Sequence, residues 1–289
     1  MSDRVDFEIY KDKLLFVHER NILNKYNTNY KGRSKEFNEF YLNVYLKMRE
    51  KLFAMTFDED HTDDFSKATN ILNEYYRACE QFSYKYKITS QSKFVSSFLE
   101  EISSYLFKDI PEIKSGEFGI YNKNIYAGLK LDNEKQVSVI TKDVDFCIGK
   151  KVEVLLKDNM GHHAKVQIIV PIVAVEVKTY LDATMFGEVK SSSGAIRSAS
   201  PNSRTYVLMG YKDLKDEHII AARQDSALTE MFALRPGEGE PISKEALYEY
   251  WEEISNAIKN VSSNNPVRAL GRLLHSEDKS IWFINFRIF

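Results

Sequence analysis

An apolar run from Val166 to Val177 ends in charge, as Val173-Ala174-Val175-Glu176-Val177-Lys178. A near-continuous run of this kind suggests a strand covered on both faces, with neighbouring strands and helices flanking it. An acid and a lysine at the end of such a strand are costly to bury unless each has a partner. Side chains alternate across a strand, so Glu176 and Lys178 share a face. Upstream, Asp143-Val144-Asp145 leads into Phe146-Cys147-Ile148, a second apolar strand at a spacing that a hairpin absorbs. Asp143 and Asp145 likewise share a face.

The rest of the chain divides in two. Residues 5 to about 88 are expected to be helical, with one glycine (Gly32) and no proline. Phe37, Tyr41, Val44, Met48 and Leu52 recur at spacings of three and four, as do Phe65, Ala68, Leu72, Tyr75, Cys79 and Phe82. Asp58 to Asp64 reads as an acidic loop that ends one helix and caps the next. It lacks the central Gly and distal Glu of a calcium loop. A further helix is predicted from Ser90 to Phe107, with Glu100 and Glu101 in its middle, and Pro111 breaks it. Strands follow at 137–140 and 144–148. Hairpin arms at 152–156 and 166–177 flank a turn at Asp158-Asn159-Met160-Gly161.

Asp182 is positioned to cap a helix whose middle is weakened by Ser191-Ser192-Ser193-Gly194. A strand at 204–211, a loop at Arg235-Pro236-Gly237-Glu238-Gly239, a strong helix at 243–261 and an aromatic C-terminus, Trp282 to Phe289, complete the pattern. The expected class is α/β. Residues 1–89 are expected to form an all-helical N-terminal domain, and residues 90–289 a second domain that ends in further helical elements.

Two carboxylates and an ammonium converging on a sheet are well suited to holding a divalent metal beside a phosphodiester while water attacks it. The plainer reading is a cross-strand salt bridge in which Lys178 neutralises Glu176 and one Asp. Other features carry less. His162-His163 sits at the predicted hairpin tip, where an exposed turn is the simpler account. The serine run has no neighbouring base, and no glycine loop cradles a phosphate. The two cysteines, Cys79 and Cys147, are far apart, without disulfide or zinc spacing, and fit a reducing cytoplasm. No signal peptide is expected from Met1-Ser2-Asp3-Arg4. No apolar run approaches the roughly 18 residues that span a bilayer, so no membrane partner is expected. A net charge of −2 is unlike a wholly basic nucleic-acid binder but permits a locally basic face.

The order helix, Asp-bearing strand, Glu-x-Lys strand, helix, strand resembles the PD-(D/E)XK nuclease superfamily, through Asp145 (or Asp143), Glu176 and Lys178. It covers roughly residues 90–211 and implies a mixed-sheet nuclease core flanked by helices. The Thr-Lys-Asp-Val-Asp-Phe run, Glu176-Val177-Lys178-Thr179-Tyr180-Leu181-Asp182 and the helical N-terminal extension further resemble type II restriction endonucleases of the BbvCI-like kind. Lys142 stands where the superfamily has proline, which leaves the first carboxylate open between the two Asp residues. Asp145 is preferred because it leads directly into Phe146-Cys147-Ile148. The resemblance implies Mg²⁺ held by Asp145, Glu176 and the backbone carbonyl of Val177, with Lys178 orienting water or stabilising the transition state. It also implies 5′-phosphate products, and Glu100 or Glu101 as an extra helix carboxylate.

Duplex DNA is then the substrate that the resemblance implies. A second nuclease subunit, identical or different, is the expected partner, since one site serves one strand. Lys190, Arg197 and Arg204 are candidate phosphate contacts. Arg223, Gln224 and Arg235 are candidate base readers, because Arg and Gln match guanine and adenine edges. The rival readings are a structure-specific nuclease of the junction-resolvase kind and a non-catalytic DNA-binding subunit.

Overall fold

The computed structural model describes residues 14–263, apart from 90–91, 132–136, 158–160, 162 and 224–226. Most of the predicted hairpin turn, His162, Gln224 and the aromatic C-terminus therefore lie outside the described residues. The N-terminal part is helical, as expected, but in several pieces. Helix α1 (Val17–Asn27) is followed by a 3₁₀ turn (Tyr30–Gly32) and α2 (Ser34–Phe40). A π turn (Tyr41–Tyr45) then joins α2 to α3 (Leu46–Phe53) without a break. A π turn inserts one extra residue into the helical repeat. The predicted stripe slips accordingly: Phe37 and Phe40 are buried, the next buried side chain is Tyr45 rather than Tyr41 or Val44, and Met48 and Leu52 follow. The long helix α4 (Thr62–Lys85) keeps its stripe, with Phe65, Ala68, Leu72, Tyr75 and Cys79 buried. The acidic loop precedes it, although its N-cap His61 makes no side-chain cap bond. Asp58 instead gathers the loop by accepting from the N–H groups of Asp60 and His61.

Helix α5 (Ser96–Phe107) is buried on all sides. Pro111 starts the short α6 (Pro111–Lys114), where its missing N–H costs nothing. A seven-stranded mixed sheet follows: β1 (Gly119–Tyr121), β2 (Ile125–Leu131), β3 (Val137–Lys142), β4 (Phe146–Lys157), β5 (His163–Leu181), β6 (Arg204–Lys212) and β7 (Glu230–Ala233). Strand β5 is central. It pairs antiparallel with β4 along one edge and parallel with β2 (at Ile169) and then β6 along the other. Helix α7 (Ala183–Ala199) makes the crossover to β6, and Asp182 caps it by accepting from the Met185 N–H at 2.8 Å. Helices α8 (Asp216–Arg223) and α9 (Lys244–Ser263) complete the described elements.

The layers follow from strand alternation. Tyr206 and Leu208 join the large core that runs from Leu14 to Ile258, whereas Val207 and Met209 join a smaller one with Phe186 and Val189 of α7. Val173, Val175 and Val177 likewise face the large core, while Ala174 meets Ile196 of α7. The sheet therefore lies between α5 and α9 on one face and α7 on the other, the α/β arrangement expected. The N-terminal helices share the large core with the sheet. Among the described residues no helix is long and apolar enough to cross a membrane.

Candidate active site

Asp145 occupies a bend immediately before β4, half-buried. Its Oδ2 accepts the N–H of Val177 at 2.8 Å, which holds the carboxyl against the Glu176-Val177-Lys178 segment of β5. Lys178 Nζ lies 3.5 Å from Glu176 Oε2 on the face they share. The other oxygen of Glu176 accepts from Ser192 Oγ of α7 at 2.9 Å. Burial pushes the Asp145 carboxyl above its ordinary range; the Glu176 charge adds to this, and the Val177 N–H opposes it. Asp143 goes elsewhere. It is exposed, and its Oδ1 accepts the Asn124 N–H at 3.2 Å, tying the entry of β2.

Helix α5 separates its two central acids. Glu100 is 7% exposed, and burial pushes its carboxyl up to about 7, with the Asp145 charge next in weight and Lys93 and Lys178 opposing. It therefore stands near enough to the β-strand carboxyls to feel both. Glu101 points the other way, fully buried. Its Oε2 accepts the His18 and Glu19 N–H groups at 2.8 and 3.1 Å, and its Oε1 accepts the Tyr45 and Tyr105 hydroxyls. Glu101 thus serves as a tertiary cap on the first turn of α1, whose own N-cap, Phe16, offers none.

The remaining candidates scatter. Lys190 and Arg197 lie on α7, with the Lys190 ammonium 5.8 Å from the centre of the Phe186 ring. Arg204 opens β6 and pairs with Glu253 of α9 at 3.4 Å. Arg223 ends α8, and nothing of its side chain is described. Arg235 is 4% exposed: its guanidinium stacks over the Tyr76 ring at 4.4 Å and donates to the Tyr76 hydroxyl at 3.0 Å, pinning the chain after β7 to α4. Two residues near the carboxyls escaped the sequence reading. Ser192 looked like a weak point in a helix, and its role is visible only once α7 lies across β5. Lys93, in a left-handed turn (φ 55°) before α5, bears on Glu100 and Asp145 and belongs to no motif.

The donor set fits a small hard dication. Among the described residues no three His, Cys, Asp or Glu side chains come together as ligands. What the site offers is Asp145 and Glu176, with Glu100 close by. Mg²⁺ commonly binds through one or two carboxylates and substrate phosphate, keeping several waters, and needs no closed cage. Cys147 is buried and its thiol is pushed up by burial, so it stays protonated and a poor ligand.

Known restriction endonucleases share sequence features and fold with this chain. The family model described as Bpu10I restriction endonuclease matches residues 91–236, just over half of the chain, a span that includes Glu100, Asp145, Glu176, Lys178 and Ser192. Among solved structures, the native BbvCI A2B2 tetramer has a chain with this fold: the TM-score is 0.64 at 16% identity, covering 86% of this chain and 98% of that one. Direct comparison with curated protein sequences gives no match.

Proposed function

Because the chain belongs to the Bpu10I restriction endonuclease family, and so is a type II restriction endonuclease acting on DNA, we propose that it cuts one strand of the duplex by Mg²⁺-dependent hydrolysis at the Asp145–Glu176–Lys178 site. The observation that supports this assignment is the Val177 N–H bond to Asp145, which gathers two carboxyls and one ammonium at the end of a buried strand. A structural ion pair needs one acid for one lysine. Here a second acid is held alongside, at a cost in repulsion that a dication would offset.

In this reading Asp145 and Glu176 hold the metal, joined by the backbone carbonyl of Val177. When bound, the metal would draw charge from the scissile phosphate and lower the pKa of the attacking water. Lys178 presents a positive charge to that water and to the charge that develops on the phosphate. Ser192 fixes the orientation of Glu176. The products carry 5′-phosphates. Residues 1–89 serve DNA binding or subunit contact, and residues 90–289 the chemistry. Lys190, Arg197 and Arg204 are the proposed phosphate contacts. Since the BbvCI assembly with this fold is an A2B2 tetramer, the partner proposed here is a different nuclease subunit.

Digestion of supercoiled plasmid tests the metal. Mg²⁺ or Mn²⁺ should support cutting into discrete bands, and Ca²⁺ should support DNA binding without cutting, because its looser geometry positions water poorly. Full activity in excess EDTA would sink the assignment. Cutting confined to branched DNA would favour a structure-specific nuclease, and binding without cutting in any metal would favour a non-catalytic subunit.

A further inference from the structure

We infer that the outer half of the β4–β5 hairpin is a DNA-contacting arm, which lays the duplex along the same face of the sheet as the catalytic carboxyls. The inference rests on the nuclease reading above. The two strands stay paired beyond Ile169, where β2 joins β5, from Val152↔Ile168 out to Lys157↔His163. At about 3.3 Å per residue this free part reaches about 17 Å. One strand of B-DNA advances about 3.4 Å per nucleotide, so it spans about five base pairs.

A β-bulge decides which side chains face the DNA. Paired residues share a face, and the register runs Cys147↔Ala174 and Ile148↔Val173, then Gly149↔Pro171, leaving Ile172 as the extra residue. On β5 the face of Glu176, Lys178 and Ala174 consequently continues outward as Pro171, Ile169, Gln167, Lys165 and His163. Without the bulge Gln167 and Lys165 would turn to the opposite face, toward the large core. Gly149 makes the bulge feasible: a Cβ there would stand 2.5 Å from the Val170 carbonyl oxygen. On β4 the same face carries Lys151, Leu155 and Lys157.

The two faces differ in chemistry. Lys151, Lys157, His163, Lys165 and Gln167 are all exposed. Glu153 is the one acid among the described residues on this face of the arm, and Lys165 pairs with it at 2.8 Å. The opposite face is mostly apolar: Val152, Val154, Leu156 and Val166 are half-buried and Ile168 buried, while Ala164, Val170 and a single lysine, Lys150, are exposed. The exposed face is therefore a basic stripe on a chain of net charge −2. The major groove admits a two-stranded ribbon, lysines suit its phosphates, and glutamine suits the adenine edge. Leu155, 63% exposed amid these polar groups, matches a thymine methyl better than it matches water.

The test uses the chain with its co-purifying subunit, a 30-base-pair duplex of random sequence and Ca²⁺ in place of Mg²⁺. Fluorescence anisotropy is read across a salt series. Each lysine–phosphate contact contributes about 0.9 to the slope of log Kd against log salt. The variant carrying Lys151→Ala, Lys157→Ala and Lys165→Ala should lose about 2 to 3 from that slope and bind at least about tenfold more weakly. Its melting temperature reports whether the fold survives. Lys157→Glu alone, near the end of the arm, gives the same readout if the triple variant fails to fold. Gln167→Ala should bind the random duplex as wild type does but change the band pattern from a plasmid of known sequence. An unchanged slope and Kd in both lysine variants overturns the arm. So does intact DNA binding with loss of the co-purifying subunit, which would make the face a protein interface. A wild-type protein that binds no duplex overturns the nuclease reading, and this inference with it.

Discussion

Glu176 is held from two sides. Lys178 balances one oxygen from its own strand, and Ser192 donates to the other from α7. The two contacts predict different phenotypes. Lys178→Glu should lower plasmid cutting by about 1,000-fold, with near-normal DNA binding and melting; cutting at the wild-type rate would refute a catalytic lysine, and an unfolded variant would favour the structural ion pair. Ser192→Ala leaves the carboxylate in place but free to turn. The concentration of Mg²⁺ for half-maximal rate should rise by about 10- to 100-fold, with recovery at high Mg²⁺, while stability changes by about 1 kcal/mol. An unchanged metal titration would reduce Ser192 to a packing contact. The difference in legibility is physical. Glu176 and Lys178 are two residues apart on one strand, so alternation alone puts them on one face. Ser192 meets Glu176 only through the packing of a helix on a sheet. Arg235 shows the reverse limit: an arginine in a polar stretch suggests a base reader, yet the residue is buried, its guanidinium 4.4 Å from the centre of the Tyr76 ring and 5.4 Å from that of Tyr211.

At the scale of elements, long patterned segments were readable, β5 even across its bulge, and very short or glycine-interrupted strands were not. Helices α4, α7 and α9 and strands β5 and β6 carry sustained patterns, and α7 also announces its start with Asp182. Strand β1 has only three residues and β7 only four. Strand β2 is interrupted at Gly128 (φ 138°) by a register shift against β3, so it lacks clean alternation. The junction of α1 with α5 carries a prediction of its own. His18 is fully buried, its Nδ1 2.9 Å from Ser97 Oγ and its Nε2 2.7 Å from the Tyr75 hydroxyl. Burial first, then the Lys25 charge, hold its pKa down to about 3 from an ordinary 6.5. A depressed folded-state pKa gives stability that is present above pH 6.5 and lost as pH falls from there toward 3. The loss approaches about 1.4 kcal/mol per pH unit. His18→Gln removes the titrating group while keeping hydrogen-bonding capacity. Its melting temperature should therefore start lower at pH 7 but fall less between pH 6.5 and 4 than that of wild type. Parallel curves for the two proteins would show that His18 is not what titrates.

At the scale of the whole molecule, the helical N-terminal part and the sheet share one core, so a force on the first reaches the second. Glu101 caps α1 while its neighbour Glu100 stands beside the β-strand carboxyls, and Arg235 ties α4 to the end of β7. The chain nevertheless carries one proposed Asp/Glu-x-Lys set, and one set hydrolyses one phosphodiester per binding event. A double-strand break therefore needs a second set. If the partner is a different nuclease subunit, a complex in which only this chain carries Lys178→Glu should convert supercoiled plasmid to open circle and stop, the remaining nick made by the partner. The complementary complex, with the partner's site disabled, should stop at the same point but with the nick on the other strand, which primer extension across the site distinguishes. If the enzyme is instead built from identical chains, Lys178→Glu enters every site and no nick appears. Linear product at the wild-type rate from the first complex would mean that this chain's site is dispensable, and the division of labour between two subunits would fail with it.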